Sequence, residues 1–342
     1  MKIYIITEGG SDIGFGHLTR MYAVYQGFKV RGITPKFIVN GDDFVEDIIK
    51  EAECEIFDWI DNKARLFDLI KGADIAIIDS YLADKSLYEE ISNIVKLPVY
   101  YDDNNRLEYP RGVVINGNIH AKDLNYPERG DIVYLLGMEY LPLRMEFWDL
   151  PEKEIRVNME SIMITFGGDD VKNMTPKVLN FLVEEYPDLK KYVIIGRGFR
   201  NIDEIEKYVD NKTFLVYHPD GKKIRDIMLD SDIAISAGGQ TLYELARVGV
   251  PTIAVIVAEN QIGNVKKFEE LGLVENVGWW NEPLSNIKSK ILKLSSYKNR
   301  KEKSDLLRER ISMISEELFS EKLLKKFNSL LNLDPLSNFR KI

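Results

Sequence analysis

The 342-residue sequence has a single cysteine, Cys54, and three histidines, His17, His120 and His218. One thiol excludes a disulfide framework and a cysteine-rich metal centre, and it fits a reducing compartment. There is no HExxH and no G-x-x-x-x-G-K-[ST], so neither a metal nor a cofactor is expected. Long apolar runs are missing too. The stretch 248–258 falls well short of the roughly 20 residues of a membrane span. The opening MKIYIITEGG turns to glycine and acid too early for a signal-peptide core. A soluble, cytoplasmic protein without stable membrane insertion is expected. Positive charge is in deficit, with 46 Lys and Arg against 55 Asp and Glu, a net charge of −9. That balance argues against a nucleic-acid partner, because neutralising phosphates takes clustered cations. Small anionic ligands are unaffected, since a few backbone amides can hold them.

What is present is an ordinary globular composition, 45% apolar and 30% charged, over a length that suits two domains. Short β-rich runs alternate with amphipathic segments twice over. Residues 2–7, 35–40, 55–59, 73–79, 97–102 and 112–116 read as strands in the first half; 161–168, 192–196, 213–217, 232–237 and 251–257 do so in the second. Most are continuously apolar, the pattern of parallel strands covered on both faces. The intervening helices are expected near 17–31, 43–52, 63–71 and 84–95, then 175–186, 202–209, 222–230, 240–248 and 260–271. Residues 137–158 break this rhythm with two prolines and mixed charge. The division expected is 1–150, an N-terminal α/β domain; 151–331, a C-terminal α/β domain ending in long helices; and 332–342, a tail. Within 285–304 stand seven Lys or Arg and one Glu. That stretch reads either as a solvated helix face or as a surface for an anionic membrane or acidic partner. Oligomeric state is not readable; a monomer is favoured.

Open parallel sheets bind ligands at the carboxyl ends of their strands, so the loops there carry the candidates. The first runs Glu8-Gly-Gly-Ser-Asp-Ile-Gly14-Phe-Gly16-His17-Leu-Thr-Arg20. Its glycines permit tight turns and close approach of a ligand, and His17 can serve as a base or hold a sugar hydroxyl or phosphate. Thr19 stands where a dinucleotide fingerprint needs its third glycine. Asp79, in Ile78-Asp79-Ser80-Tyr81, either caps the next helix or orients an imidazole. Asp102-Asp103 and Asn116-Gly-Asn118 end two further strands and make a polar rim suited to hydroxyl and acetamido groups. In the second half, Gly167-Gly168-Asp169-Asp170 repeats a glycine pair after a strand. Ser236-Ala-Gly238-Gly239-Gln240-Thr241-Leu-Tyr-Glu244 then sets a strand end, two glycines and a helix N-terminus in succession. Such a terminus can hold a diphosphate without a metal. Glu244, one turn further on, is spaced to accept hydrogen bonds from a ribose, and Asn260 and Gln261 lie in the next strand-end loop. Nothing in the sequence orients His120 or His218 toward this chemistry.

Taken in order, these segments, with Gly137-x-x-Tyr140-x-x-Leu143-Arg-x-Glu146-Phe147, resemble the UDP-sugar hydrolases of pseudaminic acid biosynthesis over about residues 1–275. Related proteins of spore-coat polysaccharide pathways share the motifs. Members of that family look like GT-B glycosyltransferases, with two Rossmann-like parallel-sheet domains facing across a cleft. The resemblance implies hydrolysis of UDP-2,4-diacetamido-2,4,6-trideoxy-β-L-altropyranose with inversion and without a metal or cofactor. It implies that His17 is the catalytic base, with Asp79 and Tyr81 on the neighbouring active-site loop. The partners implied are a UDP-sugar and water. A glycosyltransferase using a UDP-N-acetylamino sugar donor, and a catalytically silent binding subunit, are the competing readings.

Overall fold

A sheet buried on both faces needs strands that are apolar on both sides, and the first half supplies them. The computed structural model describes residues 1–10, 13–49, 51–311 and 316–331. Its first sheet is built from β1 (Ile3–Gly9), β2 (Lys36–Gly41), β3 (Cys54–Ile56), β4 (Ile75–Asp79), β5 (Leu97–Tyr101), β6 (Gly112–Asn116) and β7 (Ile132–Leu136). These seven strands lie in the order β3-β2-β1-β4-β5-β6-β7, every neighbouring pair parallel. All of β1, β4 and β5 is buried. One face packs Ile5, Val39 and Ile77 against Leu18, Met21 and Phe28 of helix Gly16–Lys29. The other packs Ile6, Ile78 and Tyr100 against Trp59, Leu66, Tyr88 and Ile91.

The second sheet repeats the plan with β8 (Ser161–Thr165), β9 (Lys190–Ile195), β10 (Thr213–Tyr217), β11 (Ile233–Ala237), β12 (Thr252–Ile256) and β13 (Val274–Trp279). Its order is β10-β9-β8-β11-β12-β13, again parallel throughout. In each sheet the winding reverses beside the first strand, between β1 and β4 and between β8 and β11. The loops at such a reversal diverge and leave room for a ligand.

The structure departs from the sequence reading in four places. β7 and β13 were not anticipated; both are outer strands of their sheets, and β13 carries Glu275 and a register shift against β12. The strand expected at 55–59 is only Cys54–Ile56, because Trp59 turns inward and donates its Nε1–H to the Thr7 carbonyl at 2.9 Å. The long helical region resolves into Leu284–Leu294, Tyr297–Ile311 and Glu316–Leu330, and the expected tail, 332–342, lies outside the described residues.

The fourth departure concerns the domain limits, expected at 150/151 with every C-terminal helix in the second domain. The chain divides instead after Met145, and its last helix belongs to the first unit. Leu323, Leu324 and Phe327 are buried in that unit's core, Phe327 stacked on Phe28 with ring centroids 6.4 Å apart. An amphipathic helix announces that it has an apolar face. It does not announce which core that face meets.

Candidate active site

Four neighbouring strands of the first sheet, β1, β4, β5 and β6, bring their carboxyl ends together, and each contributes to one hydrogen-bonded cluster. From β1 the chain closes a tight loop in which Gly10 and Gly14 exchange backbone hydrogen bonds, 3.2 and 2.8 Å. Gly14 sits at φ 89°, a conformation that a side chain would strain. Helix Gly16–Lys29 starts at once, so His17 and Arg20, three residues apart, share one face. The position of Gly16 opens onto free space.

His17 Nδ1 lies 2.7 Å from Oδ1 of Asp79, which is 1% exposed at the end of β4. Arg20 donates from Nε to Asp79 Oδ2 at 2.8 Å, from Nη2 to Asp79 Oδ1 at 2.7 Å, and from Nη1 and Nη2 to the two oxygens of Asp103 at 2.6 and 3.1 Å. Both Nη2 hydrogens are thereby directed at carboxylates. The 3.3 Å contact of Nη2 with His17 Nδ1 has no hydrogen left for it. The hydrogen on Nδ1 is therefore assigned to the imidazole, which donates it to Asp79 and keeps its Nε2 lone pair available.

Asp103 also accepts from the Tyr81 hydroxyl at 2.8 Å and from Asn118 Nδ2 at 2.9 Å. Asn116 Nδ2 donates to the Asp103 carbonyl at 3.0 Å, and its Oδ1 accepts from the Asn118 amide at 3.0 Å. Tyr81 completes the cluster: its ring and the His17 imidazole meet in a T-shaped arrangement, centroids 4.6 Å apart. The charges explain the proton affinities. Burial disfavours the imidazolium, yet the field and hydrogen bond of Asp79 outweigh it and raise the His17 pKa above its usual 6.5. Burial likewise works against the Asp79 carboxylate, but Arg20 and then His17 hold its pKa below the ordinary range. Asp103, against the same burial and with Arg20 as its main partner, is held well below that range.

The alternative role for Asp79, capping the next helix, falls to Asp84, whose side chain accepts from the Leu87 amide at 2.8 Å. Asp102 is a brace inside the loop, taking the amides of Asn105 and Arg106 and the hydroxyls of Tyr109 and Tyr126. Glu8 was not anticipated as part of the site. It is 1% exposed, accepts from the Tyr81 amide at 2.7 Å, and accepts from the Ser80 hydroxyl. The Ser80 oxygen in turn accepts from the amides of Leu82 and Ala83, both at 3.0 Å. A carboxylate buried at a strand end was the only sequence signal for this loop-setting network.

The second unit's candidates also gather at adjacent strand ends, those of β8, β11 and β12. Gly167 turns the chain at φ 84°. Asp169 is partly buried, and burial raises its pKa. Asp170 is structural, accepting from the amides of Met174 and Thr175 at 2.8 and 2.9 Å and from Asn201 at 3.0 Å. Gly238 and Gly239 lead into helix Gln240–Val248, whose cap, Gly239, offers no side-chain oxygen to the first amides of Gln240 and Thr241. The Gly238 amide is already satisfied by Gln261 Oε1 at 3.2 Å, and that oxygen also takes the Val257 amide at 3.0 Å. Gln261 thus ties the loops after β11 and β12 together, while Asn260 beside it is exposed. Glu244 is 3% exposed, one turn into the helix.

His120 is buried beside the short turn Ala121–Asp123. His218 is exposed at φ 45° beyond β10, the outermost strand. The basic stretch is absorbed within its own unit. Lys290, Lys293 and Lys303 surround the buried Glu275 at 3.5, 2.8 and 3.0 Å, and Lys288 pairs with Glu185. Lys298 and Lys301 pair with Glu302 and Asp305, and Arg300 is fully buried on the carbonyls of Leu294, Ser295, Arg156 and Val157. Among the described residues no cluster of three or more His, Cys, Asp or Glu is placed to hold a metal ion, and no helix is long and apolar enough to cross a membrane.

Residues 162–318 match the glycosyltransferase family 28 C-terminal domain. An uncharacterized Methanocaldococcus jannaschii protein is 28% identical over 76% of this chain and 57% of its own length. A Helicobacter pylori protein named pseudaminic acid cytidylyltransferase and UDP-2,4-diacetamido-2,4,6-trideoxy-beta-L-altropyranose hydrolase is 25% identical over 67% of this chain. The chain spans only 43% of that relative's length. The Campylobacter jejuni UDP-2,4-diacetamido-2,4,6-trideoxy-beta-L-altropyranose hydrolase is 23% identical over 76% of this chain and 93% of its own. Among solved structures, Acinetobacter baumannii MurG aligns with a TM-score of 0.65 at 13% identity, over 95% of this chain and 100% of that one. Staphylococcus aureus MnaA with UDP aligns with a TM-score of 0.66 at 12% identity, over 98% of each chain. The fold is that of the GT-B glycosyltransferases, two Rossmann-like parallel-sheet domains.

Proposed function

We propose that the protein is a nucleotide-sugar hydrolase. It removes UDP from a UDP-2,4-diacetamido-2,4,6-trideoxyhexose by attack of water at the anomeric carbon with inversion, in nonulosonic acid or surface-polysaccharide biosynthesis. The observation that carries this reading is the His17–Asp79 pair. With Nδ1 committed to a buried carboxylate at 2.7 Å, Nε2 is the nitrogen left to take a proton from water. The water oxygen forms a bond to the anomeric carbon as the bond from that carbon to the diphosphate oxygen breaks. The water's proton passes to Nε2 and then to solvent, and UDP leaves as the anion. Asp79 stabilises the imidazolium formed along the way. The raised His17 pKa fits the same role, since the Asp79 carboxylate that raises it also favours the imidazolium formed when the ring takes a proton.

In this reading the second unit binds UDP. The amides of Gly239, Gln240 and Thr241 at the helix N-terminus take the diphosphate, the Gly167-Gly168-Asp169 turn lines the same edge, and Glu244 meets the ribose. Asn118, held by Asp103, faces the acylated amino groups; Asn116 is fully buried, with both Nδ2 hydrogens on Asp103 and Tyr126 and its Oδ1 on the Asn118 amide, and it holds that loop in place. No metal or cofactor is invoked. The match to the glycosyltransferase family 28 C-terminal domain favours a second reading, transfer of the sugar to an acceptor alcohol. Against it, the basic stretch that would make an acceptor surface is paired internally.

The test is incubation of the protein with a panel of UDP-diacetamido-trideoxyhexoses, with the anomeric product followed by NMR. UDP release without any acceptor, with inversion, and reduced ~10²–10⁴-fold in His17→Asn is the expected result. Release that requires an added lipid or carbohydrate acceptor would establish the transferase instead.

A further inference from the structure

Arg20 was expected to contact substrate, and its hydrogen bonds point elsewhere. A guanidinium has five N–H groups. One from Nε, one from Nη1 and two from Nη2 end on Asp79 and Asp103, leaving one Nη1 hydrogen for anything else. Its side chain is 13% exposed, and the Tyr101 ring lies 5.8 Å from the guanidinium carbon. The two carboxylates it joins come from different strand ends and serve different neighbours. Asp79 holds the imidazole of His17; Asp103 holds the hydroxyl of Tyr81, and the Tyr81 ring meets that imidazole at an interplanar angle of 73°.

The geometry points to Arg20 as a positioning residue: through Asp79 and Asp103 it fixes His17 and Tyr81 against one another, and it is not a contact to the substrate. This inference rests on His17 being the base of the proposed reaction, but its central measurement does not require turnover. Among the described residues, the groups facing the imidazole are Asp79 from β4, Tyr81 from the following loop, Asp103 from beyond β5 and Arg20 from its own helix. Arg20 is the one cation among them, and it opposes protonation of His17, whereas both carboxylates favour it. Two buried carboxylates left without the guanidinium would have only the imidazolium to balance them. Arg20→Gln must therefore raise the pH at which His17 titrates. Asp103→Asn, which keeps the cation and removes a carboxylate, must lower it. Arg20→Lys keeps the charge but cannot bridge two carboxylates with one planar fork.

With three histidines in the chain, each imidazole can be followed separately by NMR, His17 being assigned from the spectrum of His17→Asn. The expected result is an upward move of about one pH unit for His17 in Arg20→Gln and a downward move in Asp103→Asn. In steady-state assays Arg20→Gln loses kcat at neutral pH, regains part of it as the pH is raised, and keeps KM within about threefold of the wild type. Arg20→Lys restores the titration more than the rate. The proposal is overturned if His17 titrates in Arg20→Gln as it does in the wild type, or if KM rises tenfold or more with an unshifted pH profile. If Arg20→Gln fails to fold, the sign of the Asp103→Asn shift decides. Absence of UDP release by the wild type would defeat the proposed reaction and leave the titrations to judge Arg20.

Discussion

His17 and Asp79 stand 62 residues apart in the chain and meet at 2.7 Å, Nδ1 to Oδ1, because β1 and β4 are neighbours in the sheet although β2 and β3 separate them in sequence. The pair defines a tautomer as well as a contact. Asp79→Asn removes the charge that stabilises an imidazolium and can present an N–H to Nδ1, turning the lone pair the wrong way. The expected outcome is a loss of kcat of ~10²-fold or more with little change in KM. Single-turnover measurement of UDP release checks it; a variant within threefold of wild type would remove Asp79 from the mechanism.

The pH dependence follows from the same charges. His17 must be neutral to accept a proton, and its pKa is raised above 6.5. The acid limb of the kcat/KM profile therefore has its midpoint above the usual imidazole value, with activity increasing as pH rises through it. The stability effect runs the other way. A raised folded pKa adds stability that is full below the unfolded value and is lost as pH rises through the folded one. Denaturation midpoints measured across that window in wild type and His17→Asn test the second statement.

Gly238 and Gly239 separate packing from ligand approach. A Cβ at Gly238 would stand 2.3 Å from Val265 Cγ2 in the buried core, so Gly238→Ala is expected to cost about 1–3 kcal/mol. At Gly239 the nearest atom to an added Cβ is Gln261 Nε2 at 3.8 Å, and the backbone there is extended, at φ −87°. Gly239→Ala should therefore unfold like the wild type while binding UDP more weakly. Denaturant melts and calorimetric titration with UDP distinguish the two, and unchanged UDP affinity in Gly239→Ala would move the diphosphate site elsewhere.

Ser80 is the smallest piece of the first unit's site and one of the most connected. Its hydroxyl donates to Glu8 and accepts from two backbone amides. Ser80→Ala leaves those amides and one carboxylate oxygen without their partner, at an expected cost of about 1–3 kcal/mol. Because Glu8 also holds the Tyr81 amide, turnover should fall together with stability, and Glu8→Gln should reproduce both effects. Equilibrium denaturation run beside UDP-release assays gives the two readings.

The last helix gives a prediction about stability alone. Phe327 is fully buried against Phe28 in the first unit. Phe327→Ala should destabilise that unit by ~3–5 kcal/mol, and a chain ending before residue 316 should lose more. Hydrogen exchange at β1 and β5 would register the loss in the first sheet ahead of the second.

Much of this architecture was legible in advance. Continuous apolar runs separated by amphipathic segments specify parallel α/β units, and helices such as 240–248 begin and end where their glycines stand. Of the two strands not read in advance, β7 is apolar throughout and carries the same signature as its neighbours, whereas β13 is an outer strand in which burial on both faces no longer enforces that signature, and its Glu275 lies under three lysines. The basic stretch was ambiguous because a run of lysines does not reveal that Glu185 and Glu275 bring it counter-charges from elsewhere in the fold.

For the site itself, the amino-acid order determined the ingredients: one histidine in a glycine-rich strand-end loop, carboxylates and carboxamides ending successive strands, and a glycine pair opening a helix. Such features depend on neighbours a few residues away, through backbone freedom and helix periodicity. Only the tertiary structure decided the roles. It gave the capping role to Asp84 and left Asp79 to His17, set Arg20 between Asp79 and Asp103, buried Glu8 against the Tyr81 amide, engaged the Gly238 amide with Gln261, and returned the last helix to the first unit's core. These depend on which strand ends become adjacent when the chain winds outward from β1, and a carboxylate's partner is whatever donor the sheet order sets within about 3 Å of it.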